Sequence, residues 1–249
     1  MAFQRLFRIA FYFTLTASCS IPLNAVAEDD EYYTTWEPRL SGEYKLIWYY
    51  NTKKDFNAQH PNRVLAHNKE FLIRPDVRPP MVNGIYLLEH SKVNEGEEVL
   101  DIGTGTGIHA IFAAEKAKRV VATDIYAPAI VNAKTNAERH AVDNKIDFRV
   151  GDLFEPINDD EKFDVFFVNI NFPFNVTDDR RNKLHERLFA EVRKYMKPNA
   201  RIYYQTSFVK NIPYIYDMLD RNNFRIMEMH MEHMAEIKHE ALFLMIQSR

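Results

Sequence analysis

The chain has 249 residues and a formal net charge of −3, with 46% hydrophobic and 27% charged residues. This balance is typical of a globular protein with a substantial core, and it excludes a disordered chain, a fibrous repeat and a protein with several membrane spans. The slightly acidic charge gives no support to a general nucleic-acid binder. The chain has seven glycines, and three of them, Gly103, Gly105 and Gly107, fall within five residues.

The first 27 residues have the three-part order of a secretory signal peptide. Arg5 and Arg8 precede an apolar stretch that is short for a transmembrane helix, and the run Ala25–Ala27 has the small-x-small pattern that signal peptidase accepts. We therefore expect cleavage after residue 27 and an exported or periplasmic protein. The alternatives are an uncleaved membrane anchor, lipidation at Cys19, and a cytoplasmic protein whose start is misassigned.

Residues 28–70 are predicted to form a short N-terminal cap that is rich in aromatic side chains. The segment holds both tryptophans, Trp36 and Trp48, and is interrupted by Pro38 and Pro61. No long hydrophobic period runs through it, so short strands or helices are expected, with most of the rings in a core.

From residue 71 onward, strand and helix patterns alternate. Strands are predicted at 98–102, 119–123, 145–150, 163–169, 201–206, 225–233 and 241–247. Helices are predicted at 81–89, 108–116, 127–140, 181–196 and 212–220. This alternation predicts an α/β fold with a doubly wound, mostly parallel sheet and helices on both faces. The short connection between the last two strands predicts an antiparallel strand at the edge.

The glycine cluster follows the first predicted strand of this sheet and precedes a helix. Glycine lets the backbone turn tightly there and come close to a ligand, and the N-terminus of the helix favours an anionic group. A dinucleotide fingerprint needs glycine or alanine at position 108, which is Ile108. The spacing therefore argues against a dinucleotide, and a tight turn without a ligand is the alternative.

Polar side chains follow the next three predicted strands. Asp124 ends the second strand, where a carboxylate can accept both hydroxyls of a ribose, and Asp152 follows the third, where it can accept from an exocyclic amine such as that of adenine. Asn169 ends the fourth strand. Each of them alone is more often a helix cap or a solvated loop residue. Together they predict a ligand crevice at the carboxyl edge of the sheet.

Four segments resemble the motifs of the class I S-adenosylmethionine-dependent methyltransferases: VLDIGTGTG (99–107), VVATDI (120–125), VGDLF (150–154) and FDVFFVNINFPF (163–174). The resemblance covers residues 71–249. It implies a seven-stranded Rossmann-like sheet and S-adenosylmethionine as the cofactor. The cofactor-binding residues that it implies are Asp101, Gly103, Thr104, Gly105 and Gly107 around the methionine part, Asp124 and Ile125 at the ribose, Asp152 and Leu153 at the adenine, and Asn169.

Within that superfamily, the chain is most similar to the methyltransferase small-domain group, which includes release-factor glutamine and ribosomal RNA guanine methyltransferases. The similarity rests on the segment 72–76 and on the spacing from Asp164 to Asn169, which leads into the group's Asn-Pro-Pro-Tyr signature. In that group, the asparagine and a neighbouring carbonyl bind a planar nitrogen on which an aromatic ring stacks. Residues 169–172 keep the spacing but lack both prolines of the signature. Residues 171–174 match the signature at more positions but begin two residues later. The resemblance implies Asn169 as the catalytic anchor and Phe172 or Phe174 as the stacking ring, with packing under the loop as the alternative for both rings.

We therefore predict an enzyme that transfers the methyl group of S-adenosylmethionine to an acceptor that the sequence does not identify, with a planar nitrogen as one candidate. Protein, RNA and small-molecule acceptors stay open, and membrane contact is expected only through an uncleaved N-terminus. One alternative is a non-catalytic S-adenosylmethionine-binding protein, because the fourth motif is altered and the expected export would separate the chain from a cytosolic cofactor. Another enzyme that uses the same cofactor, for example in aminopropyl transfer, is the second alternative.

A methionine- and histidine-rich segment lies near the C-terminus. Met227, Met229 and Met231 together with His230 and His233 have the soft ligands that copper(I) prefers. The methionines alternate with polar residues, however, as in a strand with one buried face. We therefore favour a strand here and predict no metal site.

Overall fold

The computed structural model describes residues 33–37, 46–50, 60–80, 82–170, 179–206, 212–234 and 239–249. The predicted signal peptide and the predicted stacking rings Phe172 and Phe174 lie outside these residues. Within the described ranges, no helix has both the length and the apolar character that crossing a membrane requires.

The N-terminal segment contributes an antiparallel sheet in which sequential strands are neighbours. Its strands are β1 (Tyr33–Glu37), β2 (Leu46–Tyr50), β3 (Arg63–Ala66) and β4 (Lys69–Leu72). Val64 and Ala66 alternate with less buried residues in β3, as expected for a strand with one covered face. They join Phe71 in the same hydrophobic cluster as the helix residue Ile85, so this sheet packs onto the C-terminal part of the chain.

The C-terminal part forms a second sheet of seven strands in the order β10-β11-β9-β8-β5-β6-β7. These strands are β5 (Glu98–Ile102), β6 (Arg119–Asp124), β7 (Ile146–Val150), β8 (Phe163–Val168), β9 (Met196–Thr206), β10 (Phe224–Met234) and β11 (His239–Ser248). The pairs among β5 to β9 are parallel, whereas β11 runs antiparallel to both β9 and β10. The predicted seven-stranded, mostly parallel sheet with antiparallel pairing at one edge is therefore confirmed.

Among the described residues, five α-helices cover the faces of this sheet. They are α1 (Val82–Glu89), α2 (Ile108–Ala113), α3 (Ala127–Arg139), α4 (Asp179–Glu191) and α5 (Ile212–Arg221). The central strands β5 and β8 are apolar along most of their length because helices bury both faces of a parallel sheet.

The region around residue 198 differs from the sequence prediction. The sequence predicts a strand at 201–206, but β9 already begins at Met196 and runs through Pro198 and Asn199. The pairing of β8 with β9 shifts between Phe163 and Val165, and Asn199 has a φ of 63°. A bulge of this kind lets the strand continue through residues that would otherwise end it. The helix predicted at 181–196 is α-helical to Glu191 and continues as a 3₁₀ helix over Val192–Tyr195, directly before β9.

The methionine-rich segment is a strand, as predicted, but its methionines do not form the buried face. Met227, Met229 and Met231 are 45%, 39% and 58% exposed. β10 is the edge strand, and the buried residues of α5 cluster with Phe224 and Ile226 near its beginning. The later part of the strand therefore keeps its methionines at the surface.

Candidate functional site

The chain turns sharply between β5 and α2 at the carboxyl edge of the large sheet. Gly103, Gly105 and Gly107 all have positive φ, at 73°, 56° and 86°. The N–H groups of Gly103 and Thr104 both donate to the carbonyl of Thr123 in β6, at 2.8 and 2.9 Å. These two bonds fix the turn against the neighbouring strand.

Gly107 and Gly105 have different surroundings. A Cβ at Gly107 would stand 3.0 Å from the Cβ of Ala133, so this glycine allows α2 to start close against α3. A Cβ at Gly105 would meet nothing within 4 Å. Gly105 combines a left-handed backbone with open space beside it, and that space is available to a ligand.

Asp101 lies beneath this turn and is fully buried, with 0% exposure. Its Oδ2 accepts from the hydroxyl of Thr104 at 2.7 Å and from the N–H of Ala110 at 3.2 Å. Its buried Oδ1 has no hydrogen-bond partner within the described residues. Burial raises the pKa of Asp101, and the nearby His109 and the bond from Thr104 act against that increase. A buried carboxylate with an unpaired oxygen suits a cationic group such as the ammonium of a methionine.

His109 connects Asp101 to α1. Its Nε2 lies 3.0 Å from the carbonyl oxygen of Gly84, so Nε2 carries the proton. Its Nδ1 faces Oδ1 of Asp101 at 3.9 Å, and its ring stacks on Phe167 at a centroid distance of 5.5 Å. His109 therefore supports the floor of the site from a buried position.

Asp124 closes the next strand and is held by two backbone donors. Its Oδ2 accepts from the N–H of Gly105 at 3.0 Å, and its Oδ1 accepts from the N–H of Tyr126 at 2.9 Å. Each carboxylate oxygen has a further lone pair. The carboxylate thus stands fixed beside the glycine turn before a ligand arrives, which fits the predicted contact with two ribose hydroxyls.

Asp152 and Leu153 follow β7. Asp152 forms an ion pair with Arg187 of α4, in which Nη1 donates to Oδ2 at 2.8 Å. Leu153 has a φ of 49°, and its side chain is buried, so only its backbone is available to a ligand. The sequence did not reveal Arg187, because nothing in a polar helix pattern marks one arginine as the partner of a distant loop.

Exposed apolar side chains flank Asp124. Ile125 is 70% exposed, and Tyr126 and Val150 are also exposed. Val150 pairs directly with Asp124 in the sheet register. An apolar edge beside a fixed carboxylate suits a flat base attached to a ribose. Tyr126 also donates from its hydroxyl to Asp76 at 3.5 Å, which ties this edge to the segment after β4.

Asn169 follows β8 at the same edge. Asn169 packs tightly against α1 near His109, because a Cβ added at Gly84 would lie only 3.2 Å from Nδ2 of Asn169. Asp164, whose spacing to Asn169 contributed to the family resemblance, lies at the opposite edge of the sheet. There it accepts from the N–H of Glu98 and from Nζ of Lys197, both at 2.8 Å. Asp164 therefore has a structural role, and only Asn169 lies at the site.

In the described part of the chain, no group of three or more histidine, cysteine or acidic side chains is placed to hold an ion. His230 stacks on His90 at a centroid distance of 4.2 Å, and its Nε2 lies 3.6 Å from Glu228.

Comparison with known families and proteins agrees with this geometry. The family model of the methyltransferase small domain matches residues 84–245. A protein of Methanocaldococcus jannaschii that is provisionally named a protein N5-glutamine methyltransferase is 34% identical over 142 residues, which are 50% of this chain and 69% of that protein. A ribosomal protein L11 methyltransferase of Caldicellulosiruptor bescii is 36% identical over 139 residues, 55% of this chain and 40% of that protein. The chain thus spans less than half the length of this second relative.

Solved structures show the same fold at lower identity. The ribosomal protein L11 methylase of Lactobacillus delbrueckii subsp. bulgaricus superposes with a TM-score of 0.55 at 22% identity, covering 71% of this chain and 84% of that chain. The tRNA (uracil-54, C5)-methyltransferase of Pyrococcus abyssi, crystallised with S-adenosyl-L-homocysteine, superposes with a TM-score of 0.58 at 23% identity, covering 74% and 44%. No observation on the described residues supports the non-catalytic alternative.

Proposed function

The chain belongs to the methyltransferase small-domain family of S-adenosylmethionine-dependent enzymes, and from this premise we propose that its acceptor is the side-chain amide nitrogen of a protein glutamine. The proposal is supported by the name of the Methanocaldococcus jannaschii relative and by that of a release factor glutamine methyltransferase of Koribacter versatilis, 28% identical over 170 residues. The observation that carries it is the position of Asn169 beside the glycine turn.

The described residues divide into two groups in this proposal. The first would hold the cofactor, with Asp101 at its ammonium group, Asp124 at its ribose and Asp152 at its adenine. Asn169 belongs to the second group and orients the planar nitrogen of the acceptor. When bound, the cofactor supplies an electrophilic methyl group on a sulfonium.

The chain contributes mainly alignment to the reaction. An amide nitrogen is a weak nucleophile, so its lone pair must be held in line with the methyl group and kept from competing water. Hydrogen bonds from the amide N–H groups to Asn169 would fix that direction. In the transfer, the amide nitrogen would form a bond to the methyl carbon while the electrons of the carbon–sulfur bond go to sulfur, and the nitrogen would then release one of its two protons.

The acceptor is identified by a property of N-methylated amides. Acid hydrolysis of an N-methylated glutamine releases methylamine, whereas methylated lysine and methylated RNA bases do not. The purified protein is incubated with a cell lysate and S-adenosylmethionine that carries a labelled methyl group. We expect labelled methylamine from the hydrolysed protein fraction. Label in methyl-lysine or in nuclease-sensitive material would overturn the glutamine assignment.

A matched pair of variants tests the role of Asn169. Asn169→Asp keeps the shape but replaces the amide by a carboxylate, and we expect it to lower kcat about 100-fold while the affinity for S-adenosylhomocysteine falls no more than about threefold. Asn144→Asp makes the same change at an exposed position near the opposite edge of the sheet and should leave both values unchanged. Equal kcat values for the two variants would remove Asn169 from the reaction.

A further inference from the structure

Three buried polar atoms without a hydrogen-bond partner belong to residues near the same edge of the large sheet. Besides Oδ1 of Asp101, these are Nε2 of Gln205 and Oγ1 of Thr206, both buried and without a hydrogen-bond partner in the described part of the chain. Gln205 is only 3% exposed. All three residues lie toward the carboxyl ends of parallel strands, which is the edge that holds the glycine turn.

The sheet register places Gln205 next to Asn169. The parallel pairing of β8 with β9 ends at Val168 and Tyr204. Asn169 and Gln205 are the residues that directly follow these two in the sequence. Two residues earlier, the rings of Phe167 and Tyr203 stack at a centroid distance of 5.8 Å. The two-residue alternation of strands then directs Gln205 to the same face as these rings.

Contacts across the sheet confirm which face this is. Gln205 is directly opposite Phe243 in the antiparallel pair of β9 with β11. The ring of Phe243 packs against that of Tyr86 in α1, with 5.8 Å between the ring centroids. Residues directly opposite each other in such a pair share a face. Gln205 therefore faces α1, the helix whose Gly84 packs against Asn169.

An unpaired amide donor at this depth is costly. Burial removes the water that would satisfy it, and most buried donors in native proteins have a partner. A ligand that supplies the missing partner is one explanation for such a group. The amide of Gln205 can donate to an oxygen but cannot pair with a cation through Nε2.

We propose that Nε2 of Gln205 donates to the carbonyl oxygen of the acceptor carboxamide and so determines the specificity of the site for an amide over an amine. This inference rests on the proposed function. Asn169 and Gln205 then hold the two ends of one planar group, the nitrogen and the oxygen. A primary amine has no oxygen to offer and would leave the buried donor of Gln205 unpaired.

The test is a stability measurement together with a binding measurement on the free and the cofactor-product-bound protein. Gln205→Met keeps the length of the side chain and removes the donor, and Gln205→Glu keeps its shape and turns the donor into an acceptor. Gln247→Met is the matched control, because Gln247 makes its bond to Asn199 at the opposite edge of the sheet. The binding probe is N-acetylglutamine amide, titrated by NMR into protein saturated with S-adenosylhomocysteine.

We expect removal of the donor to change stability and probe binding in opposite directions. Gln205→Met should unfold at the same or a higher urea concentration than the wild type, because an unpaired buried donor has been removed. The same variant should bind the probe about tenfold more weakly, as should Gln205→Glu, with unchanged affinity for S-adenosylhomocysteine. Gln247→Met should bind the probe like the wild type.

The inference is overturned if wild-type protein does not bind the probe, if Gln205→Met binds it as well as the wild type does, or if Gln205→Met unfolds earlier, as loss of a structural bond would require. Failure of the proposed function looks different. In that case the wild type binds the probe and the Gln205 variants weaken this binding, but no labelled methylamine is formed.

Discussion

At the scale of single residues, the two aspartates beside the glycine turn differ in burial and in their hydrogen bonds. Asp124 has a backbone donor on each oxygen, whereas Asp101 is more deeply buried and keeps one oxygen unpaired. Burial raises the pKa of Asp101 because the charged form loses hydration. A bound ammonium group would lower this pKa again, because a positive charge beside the carboxylate favours its charged form. We therefore interpret Asp101 as the residue that pairs with the cationic group of the ligand.

Glu161 has a strongly lowered pKa because arginines surround its carboxylate. Its carboxylate accepts from both terminal nitrogens of Arg149, at 2.6 and 2.9 Å, and from Arg119 at 2.9 Å. The bonds from Arg149 lower the pKa of Glu161 from its ordinary value of 4.5 to about 2. A lowered pKa in the folded state stabilises the protein above pH 4.5, and this contribution is lost as the pH falls toward 2.

We therefore expect Glu161→Gln to lower the free energy of unfolding by about 2 kcal/mol at pH 7, and by progressively less below pH 4.5. Urea denaturation at a series of pH values measures this difference. Glu138→Gln changes an exposed glutamate of α3 and serves as the control, with an expected effect of less than about 0.5 kcal/mol. A loss for Glu161→Gln that stays constant down to pH 3 would contradict the assigned pKa.

At the scale of elements, α3 joins the two sheets through a pair of buried asparagines. Asn132 accepts from the N–H of Arg74 and donates to the carbonyl of Leu72, at 2.8 and 2.7 Å. Asn136 accepts from the N–H of Leu72 at 2.8 Å and donates to the carbonyl of Thr106 at 2.9 Å. The chain that leaves β4 is thus bonded to the helix, and the helix is bonded to the glycine turn.

Asn136→Ala should break this connection in two places, because it leaves the N–H of Leu72 and the carbonyl of Thr106 without their partner. We expect the free energy of unfolding to fall by about 2 kcal/mol and hydrogen exchange to become faster in β4. Lys134→Ala, at an exposed position of the same helix, is the control and should change stability by less than about 0.5 kcal/mol. Equal stability of the two variants would show that the asparagines do not join the elements.

The sequence predicts elements well where the chain pattern is local. The alternation of buried strands with helices gave β5, β6 and β8 to within one residue, because both faces of these strands are covered and their residues are apolar. It did not show the role of Asn132 and Asn136, since polar residues inside a helix normally indicate a solvent face. Their i, i+4 spacing among the buried residues Ala129, Ala133 and Ala137 was the available signal.

Long-range pairing explains the other differences. The beginning of β9 depends on a bulge against β8, and the exposure of Met229 and Met231 depends on how far α5 extends along the edge strand. The ion pair of Asp152 with Arg187 also joins residues 35 positions apart. A local pattern contains none of this information, whereas Asp124 and Asn169 could be placed because strand ends of a parallel sheet meet at one edge.

At the scale of the whole molecule, the parts converge on one edge of the large sheet. The glycine turn, Asp124 and Asn169 follow three different strands, and the N-terminal sheet is tied to the same region through α3 and through Tyr126 with Asp76. We therefore assign this edge to the binding of S-adenosylmethionine, with Asp124 at its ribose.

Calorimetric titration of S-adenosylhomocysteine tests that claim most directly. We expect saturable binding to the wild type with one site per chain, and a loss of affinity of at least about tenfold in Asp124→Ala, because two ribose hydrogen bonds disappear. Asp143→Ala, at an exposed position near the opposite edge, should bind like the wild type. Absence of binding at millimolar ligand, or equal affinity of Asp124→Ala and the wild type, would contradict the account.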